Sequence, residues 1–292
     1  MEGHSVSRYA RARSGVVVLR LLSCSVVFVC ACSDYMVHKQ QDRDRIAEEE
    51  TIVVDTGTEE PAPPEPEDTG VSLDTGESNI ETPDEPVYLH TGSTLYAWDP
   101  LDGQLQLIGD FWTTGAELSD GITDIAIDAM GRFYGVGGET LYGINGHTAE
   151  VWEIADLAFP MFGLTCTSDG RLVGGGDGLY EVDVATGEVT TLVPEGRFET
   201  SGDLVGLPDG LLYWAVREGD DLVVVDPNSG ATSNRGEIGV ERIFGLGYAH
   251  GALYGFTDAG IVLEINASTG DVISSHSLPG TWWGATTNPV VW

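Results

Sequence analysis

The chain predicts an all-β repeat fold, and three observations carry that prediction. Between Val87 and Trp292 nearly the same segment is written five times. It reads VYLHTGSTLYAWDPLDGQLQLIG after Pro86, and further copies open at Gly131, Gly170, Gly210 and Gly251. The copies return about every 40 residues. Each is made of short runs rich in Val, Leu, Ile and Tyr, separated by Gly, Asp and Asn turns. Strands and tight turns at this period are the pattern of four-stranded blades, so residues 87–292 are expected to form a five-bladed β-propeller.

Taken in order, the first copy supplies a second, third and fourth strand but no innermost one, because an acidic, proline-rich stretch runs straight into Val87. The missing strand is expected at the other end. Trp282-Trp283-Gly284-Ala285-Thr286-Thr287-Asn288 lines up with the innermost strands of the later blades, at 122–127, 161–164, 202–205 and 244–247. If it joins the first blade, both ends of the domain share one sheet and the ring has no free radial edge. The third strand of each blade leads into an Asx-to-Gly turn: Asp99 to Gly103, Asp183 to Gly187, Asp226 to Gly230 and Asn266 to Gly270. Asx carbonyl caps and glycines at positive φ explain these residues without function. The second copy departs from the pattern as Asn145-Gly-His-Thr-Ala149, and its His147 is expected to be a loop residue, since no second His or Cys stands at metal-ligand spacing.

Composition divides the chain into three parts. Residues 1–32 hold four arginines, one acid and a run of Val, Leu and Cys; 33–86 are acidic and rich in Pro and Thr; only 87–292 has the apolar content for a core. The middle part is too polar to fold and reads as a disordered spacer. Its outer reach is about 180 Å. Formal net charge is −34, and the propeller segment contains six arginines and no lysine. Such a surface repels phosphate backbones and anionic headgroups, which argues against nucleic acid and favours cations or basic partners. The same acidity also serves solubility alone.

Arg8, Arg11 and Arg13 precede an apolar stretch that ends Val29-Cys30-Ala31-Cys32-Ser33. The charge-free part after Arg20 is eleven residues, short of the roughly twenty that span a membrane. This ending resembles the bacterial lipoprotein signal, with Val29 and Ala31 placed before the cysteine that is lipidated. The resemblance implies Cys32 as that residue, a lipid anchor as the contact with the membrane, and, with Ser33 beside it, an outer-membrane protein facing the periplasm or the outside. Cys30, and Arg20 inside the apolar region, depart from the usual pattern, and Cys24 is a rival site. Cys166 is then the one cysteine of the folded domain, so no intramolecular disulfide is expected; its place on a strand reads as small and buried, against a reactive thiol. Asp-Thr-Gly, the turn of aspartic proteases, occurs at Asp55, Asp68 and Asp74, but in the low-complexity spacer, where no rigid floor holds two carboxyls together.

Asp209-Gly210-Leu-Leu-Tyr213 and Leu179-Tyr180-Glu-Val-Asp183-Val-Ala-Thr-Gly187 resemble the repeats of NHL, YVTN and quinoprotein-like propellers across the whole of 87–292. That resemblance implies blade folding and, more often than catalysis, a binding platform. Two kinds of candidate site follow from the residues. Asp124 and Asp203 sit at equivalent places on innermost strands, where the other blades have Gly163, Gly245 and Gly284. They are weak candidates for Ca²⁺ or sugar binding, or for catalysis, against a role as hydrogen-bonding corners. The connections between blades carry Trp112, Phe159, Phe198, Phe244, Trp282 and Trp283, a candidate ligand rim for protein, peptide or carbohydrate, against inter-blade packing. No Gly-x-Ser-x-Gly, P-loop or His-Glu-x-x-His motif occurs. The expectation is a monomeric, non-enzymatic, cofactor-free module at the cell envelope, binding an envelope or extracellular protein, peptide or glycan. The alternative is a surface hydrolase or lyase using Asp124 and Asp203.

Overall fold

The computed structural model describes residues 84–292 apart from 115–117, 119–120, 199 and 218–219. The expected secretion signal, the expected lipidation site Cys32 and the expected spacer as far as residue 83 lie outside the described residues.

Five antiparallel sheets of four strands make the propeller. The first blade is β1 (Val87–His90), β2 (Thr94–Trp98) and β3 (Leu105–Asp110); the second is β4 (Asp124–Ile127), β5 (Phe133–Gly137), β6 (Thr140–Ile144) and β7 (Val151–Asp156). The third holds β8 (Gly163–Cys166), β9 (Leu172–Gly175), β10 (Leu179–Val182) and β11 (Val189–Val193). The fourth holds β12 (Thr200–Gly206), β13 (Leu212–Val216), β14 (Asp221–Val225) and β15 (Thr232–Glu237), and the fifth β16 (Ile243–Ala249), β17 (Ala252–Thr257), β18 (Ile261–Ile265) and β19 (Val272–Ser277). The last strand, β20 (Gly284–Thr286), pairs antiparallel with β1, setting Leu89 opposite Ala285 and His90 opposite Gly284. The ring therefore closes as the repeat alignment predicts, with the C-terminal strand innermost in the first blade.

Burial follows distance from the axis. Innermost strands β4, β8 and β20 are buried throughout, whereas the outermost β15 and β19 are mostly exposed. The hydrophobic core is correspondingly split into five clusters, each lying between two neighbouring blades. A twisted sheet buries both faces only if each packs on the next sheet, so the blades have no core of their own and depend on their neighbours. The seam between the fifth and first blades carries the largest side chains: Trp98 is fully buried and meets Tyr254 and Phe256 edge to face, with ring centres 5.2 and 5.4 Å apart. Glu85, just before β1, accepts the backbone N–H of His250 at 2.9 Å and ties the start of the domain to the β16–β17 turn.

Candidate functional site

At the axis the sequence places a residue with a small or acidic side chain at one position of each innermost strand: Asp124, Gly163, Asp203, Gly245 and Gly284. The backbone N–H that follows each of these points inward, because an innermost strand has no further strand to pair with. Buried N–H groups need acceptors. The two aspartates supply them. Asp124 accepts from Ile125 of its own blade at 2.8 Å and from Leu164 of the third at 2.5 Å. Asp203 accepts from Leu204 of its own blade at 2.5 Å, from Leu246 of the fifth at 2.5 Å and from Ala285 of the first at 3.3 Å. One amide from each of the five blades thus ends on this pair of carboxyls.

Both aspartates are wholly buried and hydrogen-bonded to one another. Burial pushes the Asp124 carboxyl well above the usual carboxylate range, and the adjoining Asp203 raises it further. Burial likewise pushes Asp203 up, to about 8. Two carboxyls in contact away from water cannot both ionise, so they share a proton at neutral pH. His90, at the end of β1, is the third ionisable group at the axis: it is fully buried, its Nδ1 lies 2.8 Å from the Thr91 carbonyl, and its Nε2 lies 3.7 Å from Asp124 Oδ1. A Cβ on Gly284 would collide with both His90 Nε2 and Asp124 Oδ1, so only glycine lets β20 approach here. Sequence reasoning passed over His90, although it is the one ionisable residue besides Tyr88 in the run Val87–His90.

This arrangement answers the corner reading of the two acids. The carboxyl oxygens that a Ca²⁺ ion or a substrate would need are taken by amide hydrogens, whose dipoles disfavour a cation. No group of three His, Cys, Asp or Glu side chains suited to a metal occurs among the described residues.

The six aromatics expected on a common rim do not share one. Trp282 is 1% exposed and lies in the seam of the fifth and first blades, edge-on to Tyr96 at 5.5 Å, with its Nε1 donating to the Leu278 carbonyl. Trp283 and Phe244 are buried, the latter beneath the Arg242 guanidinium. Phe159 packs edge to face on Tyr180 at 4.6 Å and Phe198 on Trp214 at 5.7 Å, each at the border of an inter-blade core. Blades diverge from the axis, and the widening wedge between them takes Trp282, with Phe159 and Phe198 at its borders, while Trp283 and Phe244 are buried outside these cores. Trp112 differs: it is 48% exposed.

Trp112 sits on the connection between the first two blades and forms a short parallel bridge with Glu150, just before β7. Two residues further along lies Trp152, which is 50% exposed and which sequence reasoning did not single out. Paired residues in a parallel bridge share a face, and so do residues two apart in extended chain. Trp112, Glu150 and Trp152 therefore stand on one face at the outer edge of the second blade. The indole of Trp112 is held by its Nε1 donating to the Thr148 carbonyl at 3.2 Å; that of Trp152 lies flat against Gly143, where a Cβ would strike the ring. His147 is an exposed turn residue and Cys166 is buried, burial pushing its thiol well above its ordinary range.

No family model matches the chain and no curated protein matches it. Among solved structures, that of a nidogen/laminin complex is similar at a TM-score of 0.51 and 14% identity, covering 70% of this chain and 81% of that one. A protein of unknown function from Bacteroides caccae aligns at a TM-score of 0.42 and 14% identity over 66% of this chain and 73% of that one. At such identity the likeness is one of fold: the chain is a β-propeller.

Proposed function

We propose that this chain is a lipid-anchored cell-envelope protein whose propeller binds a protein, peptide or glycan, and that the outer edge of the second blade is its binding surface. The observation that carries the reading is the pair of half-exposed, rigidly held indoles, Trp112 and Trp152, on one face of a domain whose other large aromatics are mostly spent on packing. Rigid aromatic surface makes contact at low entropic cost. Binding is favoured over catalysis because the two acids that converge at the axis are wholly buried and engaged by backbone amides of all five blades. A fold shared with one partner of a protein complex supports protein ligands in general. The anchor rests on the likeness of Val29-Cys30-Ala31-Cys32 to a lipoprotein signal.

The test joins location and capture. Cys32→Ser is expected to move the chain out of the membrane fraction, and a peptide and glycan array probed with the protein should give hits that Trp112→Ala or Trp152→Ala weakens about tenfold with little change in Tm. Incubation with glycosides and lactones should give no turnover. Turnover abolished by both Asp124→Asn and Asp203→Asn in still-folded protein would make the enzyme reading the right one.

A further inference from the structure

The face that carries Trp112 and Trp152 has a chemistry more specific than aromatic. From Asp84 to Phe162, through the first two blades, the sequence has thirteen acids and a single strong base, Arg132. That base is occupied: its Nε donates to Asp128 Oδ2 at 2.6 Å. On the face itself Glu150 stands between the two indoles, accepting an exposed, 3.3 Å hydrogen bond from Thr114 Oγ1. Glu153 and Asp156, both exposed, follow on the same strand. The other five arginines of the domain all come later, from Arg171 onward. The aromatic edge therefore belongs to the two blades in which acids most outnumber strong bases, and Glu150, Glu153 and Asp156 lie beside its indoles.

We propose that this edge of the second blade is a docking surface for an arginine-rich segment of a partner protein, the guanidinium groups stacking on Trp112 and Trp152 and pairing with Glu150. This rests on the binding reading above and names the partner's chemistry. Arginine fits better than lysine because a planar guanidinium stacks on an indole face and meets a carboxylate with two parallel donors, whereas an ammonium is a compact, strongly hydrated point charge. A neutral sugar would use the indoles but leave the surrounding field unused. An anionic partner would be repelled by it.

The experiment measures anisotropy of fluorescein-labelled peptides of ten arginines, ten lysines or ten glutamates, with a labelled neutral chito-oligosaccharide, against the full chain in non-ionic detergent. The arginine peptide is expected to bind about fivefold tighter than the lysine peptide of equal charge, and the glutamate peptide and the sugar not at all. Trp112→Ala and Trp152→Ala together should weaken the arginine peptide about tenfold and reduce its preference over lysine to unity, while Glu150→Gln weakens it severalfold and salt weakens both cationic peptides. Should the double variant not fold, each single Trp variant and the arginine-to-lysine ratio of the unaltered protein decide the same question. Equal binding of arginine and lysine peptides that ignores the indole changes overturns the proposal in favour of a diffuse acidic surface. Sugar binding that the Trp changes abolish overturns it too, while leaving the binding reading intact; loss of every probe from the indoles overturns both.

Discussion

Two aspartates do at the axis what a further strand would do elsewhere: they accept the inward N–H groups of five blades, two through Asp124 and three through Asp203. Their protonation makes the ring sensitive to pH. A carboxyl whose pKa is higher in the folded than in the unfolded chain binds its proton more tightly when folded, so its contribution is complete below the unfolded value and is lost as pH rises through the folded one. For Asp203 that window runs from 3.8 to about 8. The groups facing the pair are each other and His90; the remaining innermost strands present Gly163, Gly245 and Gly284. The domain should therefore melt at a higher temperature at pH 5 than at pH 8. Asp203→Asn should lower Tm at both, since an amide cannot accept from both sides, but should narrow the gap between them. A gap equally wide in the variant would assign the pH dependence to general charge repulsion among the surface acids instead.

At the scale of elements, the Asx-to-Gly turns do more than reverse the chain. Gly187, with φ of 73°, docks against the carbonyl of Asp156 in the preceding blade, and Gly230, with φ of 67°, against that of Leu192. A Cβ at either would overlap the carbonyl oxygen. The second blade, which has Ala149 at φ of 58° in place of glycine, meets Gly109 of the first blade instead, so the methyl is accommodated by a glycine on the partner strand. Gly103, at φ of 75°, has no atom within 4 Å of a built Cβ. Gly103→Ala should then cost only the left-handed backbone penalty, about 1 to 2 kcal/mol, while Gly187→Ala should cost about 3 kcal/mol or more because the seam must also open. Urea unfolding of the two variants measures the difference, and equal losses would remove the docking role from the turn. Arg171 ties the third and fourth blades by another route, donating to Asp169 and Glu181 in the third and to the Pro227 carbonyl and Asn228 in the fourth.

For the whole molecule, closure is the feature on which the rest depends. β20 completes the first blade, Trp282 fills the last seam and Ala285 delivers the fifth amide to Asp203. A chain ending at Gly280 loses all three at once and exposes the inner edge of β1, so it should fail to give a cooperative, soluble fold. Circular dichroism melting decides this, and a sharp transition near that of the full chain would contradict closure by the C-terminal strand. Single changes in the same seam should be milder; Trp98→Ala, which empties a fully buried site, should cost about 3 to 5 kcal/mol.

The repeat, the number of blades, the turn chemistry and the strand that closes the ring were all legible in the residues, because each depends on local pattern: short apolar runs in strands, Asx and Gly in turns, and a period that returns five times. Even the equivalence of Asp124, Asp203 and the three axial glycines could be read by alignment. What the pattern does not carry is where equivalent positions meet. That the two carboxyls face each other, that His90 joins them, and that one amide per blade ends on them follow from the radius of a five-bladed ring, which no single repeat specifies. The same holds for the aromatics: Trp282 and Trp152 are alike as letters, and only the placement of neighbouring blades buries one in a wedge and leaves the other half exposed on an edge.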